Sequence, residues 1–144
     1  MSRAEQLQDF LESIPFAQTL GIRCNIHGDE MTSVLPFQER LIGNAAIKAL
    51  HGGAIGSFLE LTAMAQVFLL TDLEYPPKPI DLTIDYLRSG KAEDLFARAN
   101  VTKLGRRIAN VRCDAWQATR SKPVASLHAH FLVAQPGEAA STHL

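Results

Sequence analysis

Neither sign of charge is in excess in this 144-residue sequence, which has 14 lysine and arginine residues against 15 aspartate and glutamate residues. The formal net charge is therefore -1. A chain without surplus positive charge has no broad electrostatic attraction to phosphate backbones or to anionic lipid headgroups. The composition thus predicts neither a nucleic-acid partner nor binding to a membrane surface.

The sequence also has few cysteines, namely Cys24 and Cys113. Both fall in segments that are predicted to be strands, and their spacing does not match a metal site. We expect reduced core thiols, with a disulfide between them as the alternative. Residues 1–12 are too polar and acidic for a signal peptide. These features predict a cytoplasmic protein.

Long apolar runs are scarce as well, and the central one is the only candidate for a membrane span. The longest extends from Ala54 to Leu70, 17 residues that include Glu60 and Gln66. A transmembrane helix needs about 20 predominantly apolar residues. We therefore expect this run to be a buried core helix.

The length and the 47% hydrophobic content fit a single domain over residues 1–144. No internal repeat or low-complexity segment divides the chain. We expect a core over about 16–134, an N-terminal helix within 1–14 and a flexible tail over 136–144.

Hydrophobic spacing predicts the order of the elements. Apolar residues at helical spacing over 3–13 indicate a short amphipathic helix that ends at Pro15. Residues 38–50 are irregular, with a turn expected at Gly43 and Asn44 and room for a helical turn. A long helix is expected from Gly52 to about Thr71, stopped by the prolines that follow Tyr75. Alternation with a period of two predicts antiparallel strands over 22–26, 31–37, 80–86, 95–101, 109–115 and 125–133. The pattern favours an α+β domain whose sheet wraps one long central helix, with surplus apolar surface going to a partner subunit.

Glu60 is the unusual residue of the long helix. It is flanked by Phe58, Leu59, Leu61 and Met64. Burying an unpaired charge is costly, so this carboxylate either reaches water at the edge of the helix or is retained because a reaction needs an acid there.

The order of elements and several motifs resemble the hotdog-fold acyl-CoA thioesterases, especially the phenylacetate-pathway type. The resemblance covers about Phe16 to Val133. The motifs that carry it are Leu41-Ile-Gly-Asn44, Ala49-Leu-His-Gly-Gly53, the acid Glu60 nine residues after His51, Asp81-Leu-Thr-Ile-Asp-Tyr-Leu-Arg88 and Gly105-Arg106.

This resemblance implies a homodimer or a dimer of dimers, with an acyl-CoA thioester bound at the subunit interface and no metal or redox cofactor. Glu60 matches the family's general base or nucleophile. The helix-opening motif is His51, Gly52 and Gly53, and Asn44 matches a polar group near the reacting centre. The family acid is often Asp, and some members have a hydroxyl where this chain has Pro79 or Met64.

The residue types suit thioester hydrolysis. Glycines at a helix start let an oxygen approach free N–H groups at the positive end of the dipole. Gly53 and Glu60 are about 10 Å apart along the axis, so we expect the acid to act on a thioester held by the other subunit. The alternatives are that His51 is a structural cap, that Gly52 and Gly53 form a plain turn, and that Asn44 is a turn residue.

Other side chains are candidates for binding. Arg88, Arg106 and Arg107, with Lys103, could hold coenzyme A phosphates. Met64 and Phe68, with Trp116, are expected to pack the core or line the pocket. His128 and His130 share a strand face, but no third metal ligand is placed by the sequence, so they are expected to be solvated or at an interface.

Hydrolysis of an acyl-CoA is therefore the leading hypothesis. An enoyl-thioester hydratase or dehydratase on the same fold is the second, although the Gly-His-Phe-Pro loop of acyl-carrier-protein dehydratases is absent. The third is a non-catalytic acyl-CoA-binding module, which the fold alone does not exclude.

Overall fold

The computed structural model describes residues 2–133, and the expected tail at 136–144 lies outside this range. The elements occur in the order α1 (Arg3–Glu12), α2 (Pro15–Leu20), β1 (Arg23–His27), β2 (Glu30–Leu35), a 3-10 turn (Glu39–Leu41), β3 (Ile42–Asn44), β4 (Ala49–Leu50), α3 (Gly52–Leu70), β5 (Lys78–Tyr86), β6 (Leu95–Leu104), β7 (Ile108–Trp116) and β8 (Ala125–Leu132).

Six strands form one sheet in the order β1-β2-β6-β7-β8-β5, and every neighbouring pair is antiparallel. The short strands β3 and β4 form a separate two-stranded ribbon just before α3. The long helix packs against the apolar face of the large sheet. The predicted α+β hotdog architecture, with an antiparallel sheet around one central helix, is confirmed.

The sequence explains why α3 occupies the centre. The helix is apolar around most of its circumference, so it needs partners on more than one side. Much of the facing sheet surface is built from small side chains, which let the strands curve closely around the helix; these are Ala97, Ala99, Ala109, Ala115, Ala125 and Ala129. Although α3 is long and apolar enough to cross a bilayer, 67% of its apolar window is buried inside the domain.

The N-terminal helix is fastened to the end of α3. Arg3 donates hydrogen bonds from Nε and Nη2 to the Phe68 carbonyl at 3.1 and 2.7 Å, and its guanidinium lies 3.9 Å from the centre of the Phe68 ring. Phe10 stacks on the same ring at 4.6 Å. These contacts satisfy a carbonyl at the helix C-terminus, where helical partners are missing.

Two local features differ from the sequence-based expectation. Pro15 ends α1 as predicted but also begins α2, because proline is well suited to the first position of a helix. In residues 38–50 the turn expected at Gly43 and Asn44 lies just after them, since Asn44 is the last residue of β3. The short strands were not visible as periodic patterns because they are only two or three residues long.

Lys48 stands in the turn between β3 and β4 with φ of 49°, the left-handed region that glycine adopts without a steric penalty. Its side chain is exposed, so replacing it removes little packing. We expect Lys48→Gly to raise the free energy of unfolding by about 0.5 to 1 kcal/mol, as measured by urea denaturation. Equal or lower stability would show that this backbone strain is offset by contacts of the lysine.

Candidate active site

The start of α3 is organised by His51. This residue is the N-cap, and its imidazole Nδ1 accepts a hydrogen bond from the Gly53 N–H at 2.8 Å. Because Nδ1 accepts, the neutral ring carries its proton on Nε2. The structure thus supports the capping role of His51, and the Gly53 amide already has a partner.

The Gly52 N–H remains available as a hydrogen-bond donor at the start of α3. Within residues 2–133 no group accepts a hydrogen bond from its N–H, while the Ala54 and Ile55 amides both bond to the His51 carbonyl. The first N–H groups of a helix lack helical partners and carry partial positive charge. This amide can therefore meet an oxyanion.

Tyr86 closes over this turn from strand β5. Its hydroxyl donates to the Gly52 carbonyl at 2.7 Å. A Cβ at Gly56 would lie 2.9 Å from the Ile84 Cδ1 atom and 3.1 Å from the Tyr86 hydroxyl. A glycine inside a helix costs about 0.5 to 1 kcal/mol relative to alanine, and here its absent side chain makes room for β5.

Gly43 allows the backbone of β3 to lie close to His51, the N-cap of α3. A Cβ there would lie 2.7 Å from the His51 Cα atom, so any side chain would displace the residue that opens the helix. The His51 N–H also donates to the Leu41 carbonyl at 2.7 Å. The β3–β4 ribbon thereby fixes the position of the cap.

Glu60 lies one turn beyond Gly56 on α3. Its carboxylate is half-buried, and among the described residues no side chain or backbone group forms a hydrogen bond or ion pair with it. Burial raises the pKa of the Glu60 carboxyl above its usual range, because the charged form loses hydration. A carboxylate with a raised pKa is a stronger base than an ordinary glutamate and so a better proton acceptor.

A cleft of about 380 Å³ opens beside the helix start. Its lining includes Gly52, Tyr86 and Arg88. Arg88 is exposed, and its Nη1 donates to the Pro123 carbonyl at 2.6 Å, which holds the side chain while other N–H groups of the guanidinium remain for a ligand. The structure thus brings Arg88 and Gly52 into one cleft.

The other candidates lie elsewhere. Asn44 is exposed, and its Oδ1 accepts from the Ala46 N–H at 3.1 Å, as in an ordinary turn. Phe68 lies two turns beyond Glu60 on α3, where its ring stacks on Phe10 of α1, and Met64 is half-buried against the core. Arg106 and Arg107 lie in the β6–β7 turn, at the opposite end of the sheet from Gly52.

The histidine pair on β8 faces away from α3. His130 Nδ1 is 2.7 Å from the Asp81 carboxylate, and the His128 and His130 rings are 5.3 Å apart. The described part of the chain brings no group of three or more potential metal ligands together. These histidines belong to the polar outer face of the sheet.

Sequence reasoning missed Gly43, Gly56 and Tyr86 as parts of the site. A signal existed for Gly56, because a glycine inside a helix often marks a close approach. Tyr86 was noted as the end of an alternating strand and as part of the motif over 81–88, but neither gave it a role, since periodicity does not show where its hydroxyl bonds.

Sequence comparison finds relatives of this chain among known proteins. The chain is similar to the medium/long-chain acyl-CoA thioesterase YigI of Escherichia coli K12, with 27% identity over 119 residues that cover 73% of this chain and 77% of that protein. The YigI protein of Salmonella typhimurium is likewise 27% identical, over 120 residues.

Solved structures share the fold. A protein from Chromobacterium violaceum is 36% identical, with a TM-score of 0.75 and coverage of 92% of this chain and 93% of that one. A phenylacetic acid degradation-related protein from Ralstonia eutropha JMP134 has a TM-score of 0.75 at 22% identity, covering 88% and 98% of the two chains. The family model for the thioesterase superfamily matches residues 48–132, more than half of the sequence, including the capped start of α3, Glu60 and strands β5 to β8. The chain is therefore a member of the thioesterase superfamily, a thioester hydrolase of the hotdog fold.

Proposed function

We propose that this thioester hydrolase acts on acyl-CoA, with Glu60 as general base or nucleophile and the Gly52 N–H as the oxyanion donor. The observation that carries the proposal is that one helix bears both a free N–H at its start and a half-buried carboxylate without a partner. Thioester hydrolysis needs these two groups. The similarity to acyl-CoA thioesterases supports the choice of substrate.

Two routes use the same residues. In one, Glu60 takes a proton from water as the water oxygen attacks the carbonyl carbon. In the other, the carboxylate attacks directly, and water then cleaves the resulting anhydride. In both, negative charge develops on the carbonyl oxygen, where the Gly52 N–H stabilises it, and breaking the carbon–sulfur bond releases coenzyme A, whose thiolate takes up a proton.

A second copy of the chain would complete the site. Strand β5 is nine residues long, and within residues 2–133 nothing pairs with its outer edge. Ile80 is 47% exposed and Leu82 38% exposed. A long apolar edge of this kind aggregates unless it is covered. We therefore propose a homodimer, or a dimer of such dimers, in which two β5 strands pair edge to edge.

Helix geometry favours a site shared between the copies. Gly52 and Glu60 are separated by eight residues, or about 12 Å along the axis of α3. A carbonyl oxygen bonded to the Gly52 N–H would hold its carbon only about 3 to 4 Å from that nitrogen, beyond the reach of Glu60 on the same helix. We propose that each thioester is bound by Gly52 of one subunit and attacked from Glu60 of the other.

The arginines fit this arrangement as sites for coenzyme A. Arg88 lies in the cleft beside Gly52. Antiparallel pairing of two β5 strands would bring the Lys78 end of one strand beside the Tyr86 end of the other. The β6–β7 turn, with Arg106 and Arg107, lies at the Lys78 end. One coenzyme A could thus contact Arg88 from one subunit and that turn from the second.

The acyl group would follow the apolar side of β5. Ile84 is covered by α3 near Gly56, whereas Ile80 and Leu82 further along the strand are exposed. An alkyl chain that starts near Glu60 would bury these side chains. This placement is consistent with medium or long acyl chains, the substrates named for YigI.

The direct test is release of free thiol from acyl-CoAs of short, medium, long and aromatic type. We expect turnover of at least one class. Binding of acyl-CoA without thiol release would support a non-catalytic binding module, and hydration of an enoyl-CoA without thiol release would support a hydratase. Either result would contradict the proposed function.

The pH dependence of hydrolysis should report the protonation of Glu60. Because burial raises the pKa of this carboxyl and the base must be unprotonated, we expect activity to be lost on acidification at a pH above the usual range of a glutamate. The measurement is kcat/KM for the best acyl-CoA as a function of pH. An acid limb at the pKa of an ordinary exposed glutamate would contradict the assignment.

A further inference from the structure

We infer that Tyr86 is a positioning residue that fixes the Gly52–Gly53 peptide and thereby sets the rate of thioester hydrolysis. This inference rests on the proposed function, in which the Gly52 N–H meets the oxyanion. No feature of the sequence pattern assigns Tyr86 a role beyond ending strand β5.

The evidence is that two side chains hold one peptide group. The carbonyl of Gly52 and the N–H of Gly53 belong to the same peptide plane. The Tyr86 hydroxyl donates to that carbonyl at 2.7 Å, and His51 Nδ1 accepts from that N–H at 2.8 Å. The plane is therefore restrained at both ends.

This restraint acts on the neighbouring donor. The Gly52 N–H is one residue from the restrained plane, and glycine has the freest backbone dihedrals of any residue. Without the restraint, the His51–Gly52 and Gly52–Gly53 peptides could rotate relative to each other. An oxyanion donor is effective when it is already oriented before charge develops, so the two bonds convert a flexible glycine pair into an ordered donor.

The fit of the tyrosine ring is equally specific. A Cβ on Gly52 would lie 3.5 Å from the ring, and the hydroxyl lies 3.1 Å from where a Cβ on Gly56 would stand. The ring thus rests on a surface formed by two glycines one turn apart. Because Tyr86 belongs to the proposed pairing strand, it also ties the helix start to the subunit interface.

A purely structural role makes a different prediction. A helical carbonyl in the first turn normally accepts from the N–H four residues later, so the Gly52 carbonyl keeps a partner without Tyr86. The hydroxyl bond is then dispensable for folding. Its removal should change turnover more than it changes stability or substrate affinity.

The test compares Tyr86→Phe with Tyr75→Phe. The second is a matched control, because Tyr75 is 55% exposed against 54% for Tyr86 and forms no hydrogen bond with a described residue. We expect Tyr86→Phe to lower kcat for acyl-CoA by about 5- to 10-fold, with KM and the melting temperature close to wild type. Tyr75→Phe should match wild type in all three quantities.

NMR can detect the hydrogen bond between Tyr86 and the Gly52 carbonyl without measuring turnover. The amide proton and nitrogen shifts of Gly53 should move in Tyr86→Phe and stay unchanged in Tyr75→Phe, since the lost bond is to the carbonyl of the same peptide. Unchanged kcat in Tyr86→Phe, or a fall matched by an equal loss of stability, would overturn the positioning role. If the wild type released no thiol, the proposed function would be wrong, and so would the effect of Tyr86 on turnover. Unchanged Gly53 shifts in Tyr86→Phe would separately show that the Tyr86 hydroxyl does not restrain the Gly52–Gly53 peptide.

Discussion

Replacing Glu60 with glutamine is expected to lower kcat for acyl-CoA hydrolysis by about 10³-fold, because general base or nucleophilic catalysis typically contributes 10²- to 10⁴-fold. Glutamine preserves the size of the side chain but has no basic oxygen of comparable strength. Since no described residue pairs with this carboxylate, the change should leave the surrounding contacts intact. Thiol release at saturating acyl-CoA measures the effect.

Stability provides the control for this variant. A carboxyl whose pKa is raised on folding favours the folded state most when it is protonated, at a pH below its unfolded pKa, and loses that contribution as the pH rises through the folded pKa. The neutral amide should therefore fold at least as well as wild type at neutral pH. Glu12→Gln, on the exposed side of α1, should retain full activity. Full activity in Glu60→Gln would refute the role of Glu60.

Gly52→Pro should remove the N–H that we propose as the oxyanion donor while keeping the helix. Proline has no N–H, and it is favoured at the first position of a helix, where Gly52 stands. His51 has φ of -64° and ψ of 131°, the extended conformation that a residue before proline requires. We expect kcat to fall by about 10²- to 10³-fold, with the circular dichroism spectrum unchanged.

Gly52→Ala separates the amide from the side chain. Alanine keeps the N–H, and its Cβ would lie at an ordinary contact distance of 3.5 Å from the Tyr86 ring. This variant should retain most of the wild-type activity. If alanine and proline were equally damaging, space at this position, and not the N–H, would be the important feature.

Periodicity and motif spacing predicted the architecture well. The central helix, expected over 52–71, is observed over Gly52–Leu70, and the alternating segments became the strands of a single antiparallel sheet. These features follow from hydrophobic patterns that are visible within short stretches of the sequence. The resemblance to hotdog thioesterases, which rested on motif order, is confirmed by the family match over residues 48–132.

Periodicity and motif spacing do not identify hydrogen-bond partners. The two glycines looked equivalent as oxyanion donors, yet the Gly53 N–H bonds to His51 and the Gly52 N–H remains available. Strand β5 alternates like a half-buried strand, but Ile80 and Leu82 remain exposed in one copy of the chain. Periodicity does not distinguish a side chain covered by its own domain from one covered by a second subunit.

Mixed dimers of Glu60→Gln and Gly52→Pro test the shared site most directly. Each variant alone should be nearly inactive. In a two-fold dimer that combines them, one site receives both defects and the other receives none, so an equal mixture after random exchange should recover about a quarter of wild-type activity. Differently tagged subunits that co-purify would establish the exchange. Recovery at that level is the result we predict, and no recovery in dimers shown to be mixed would contradict a site built from two subunits.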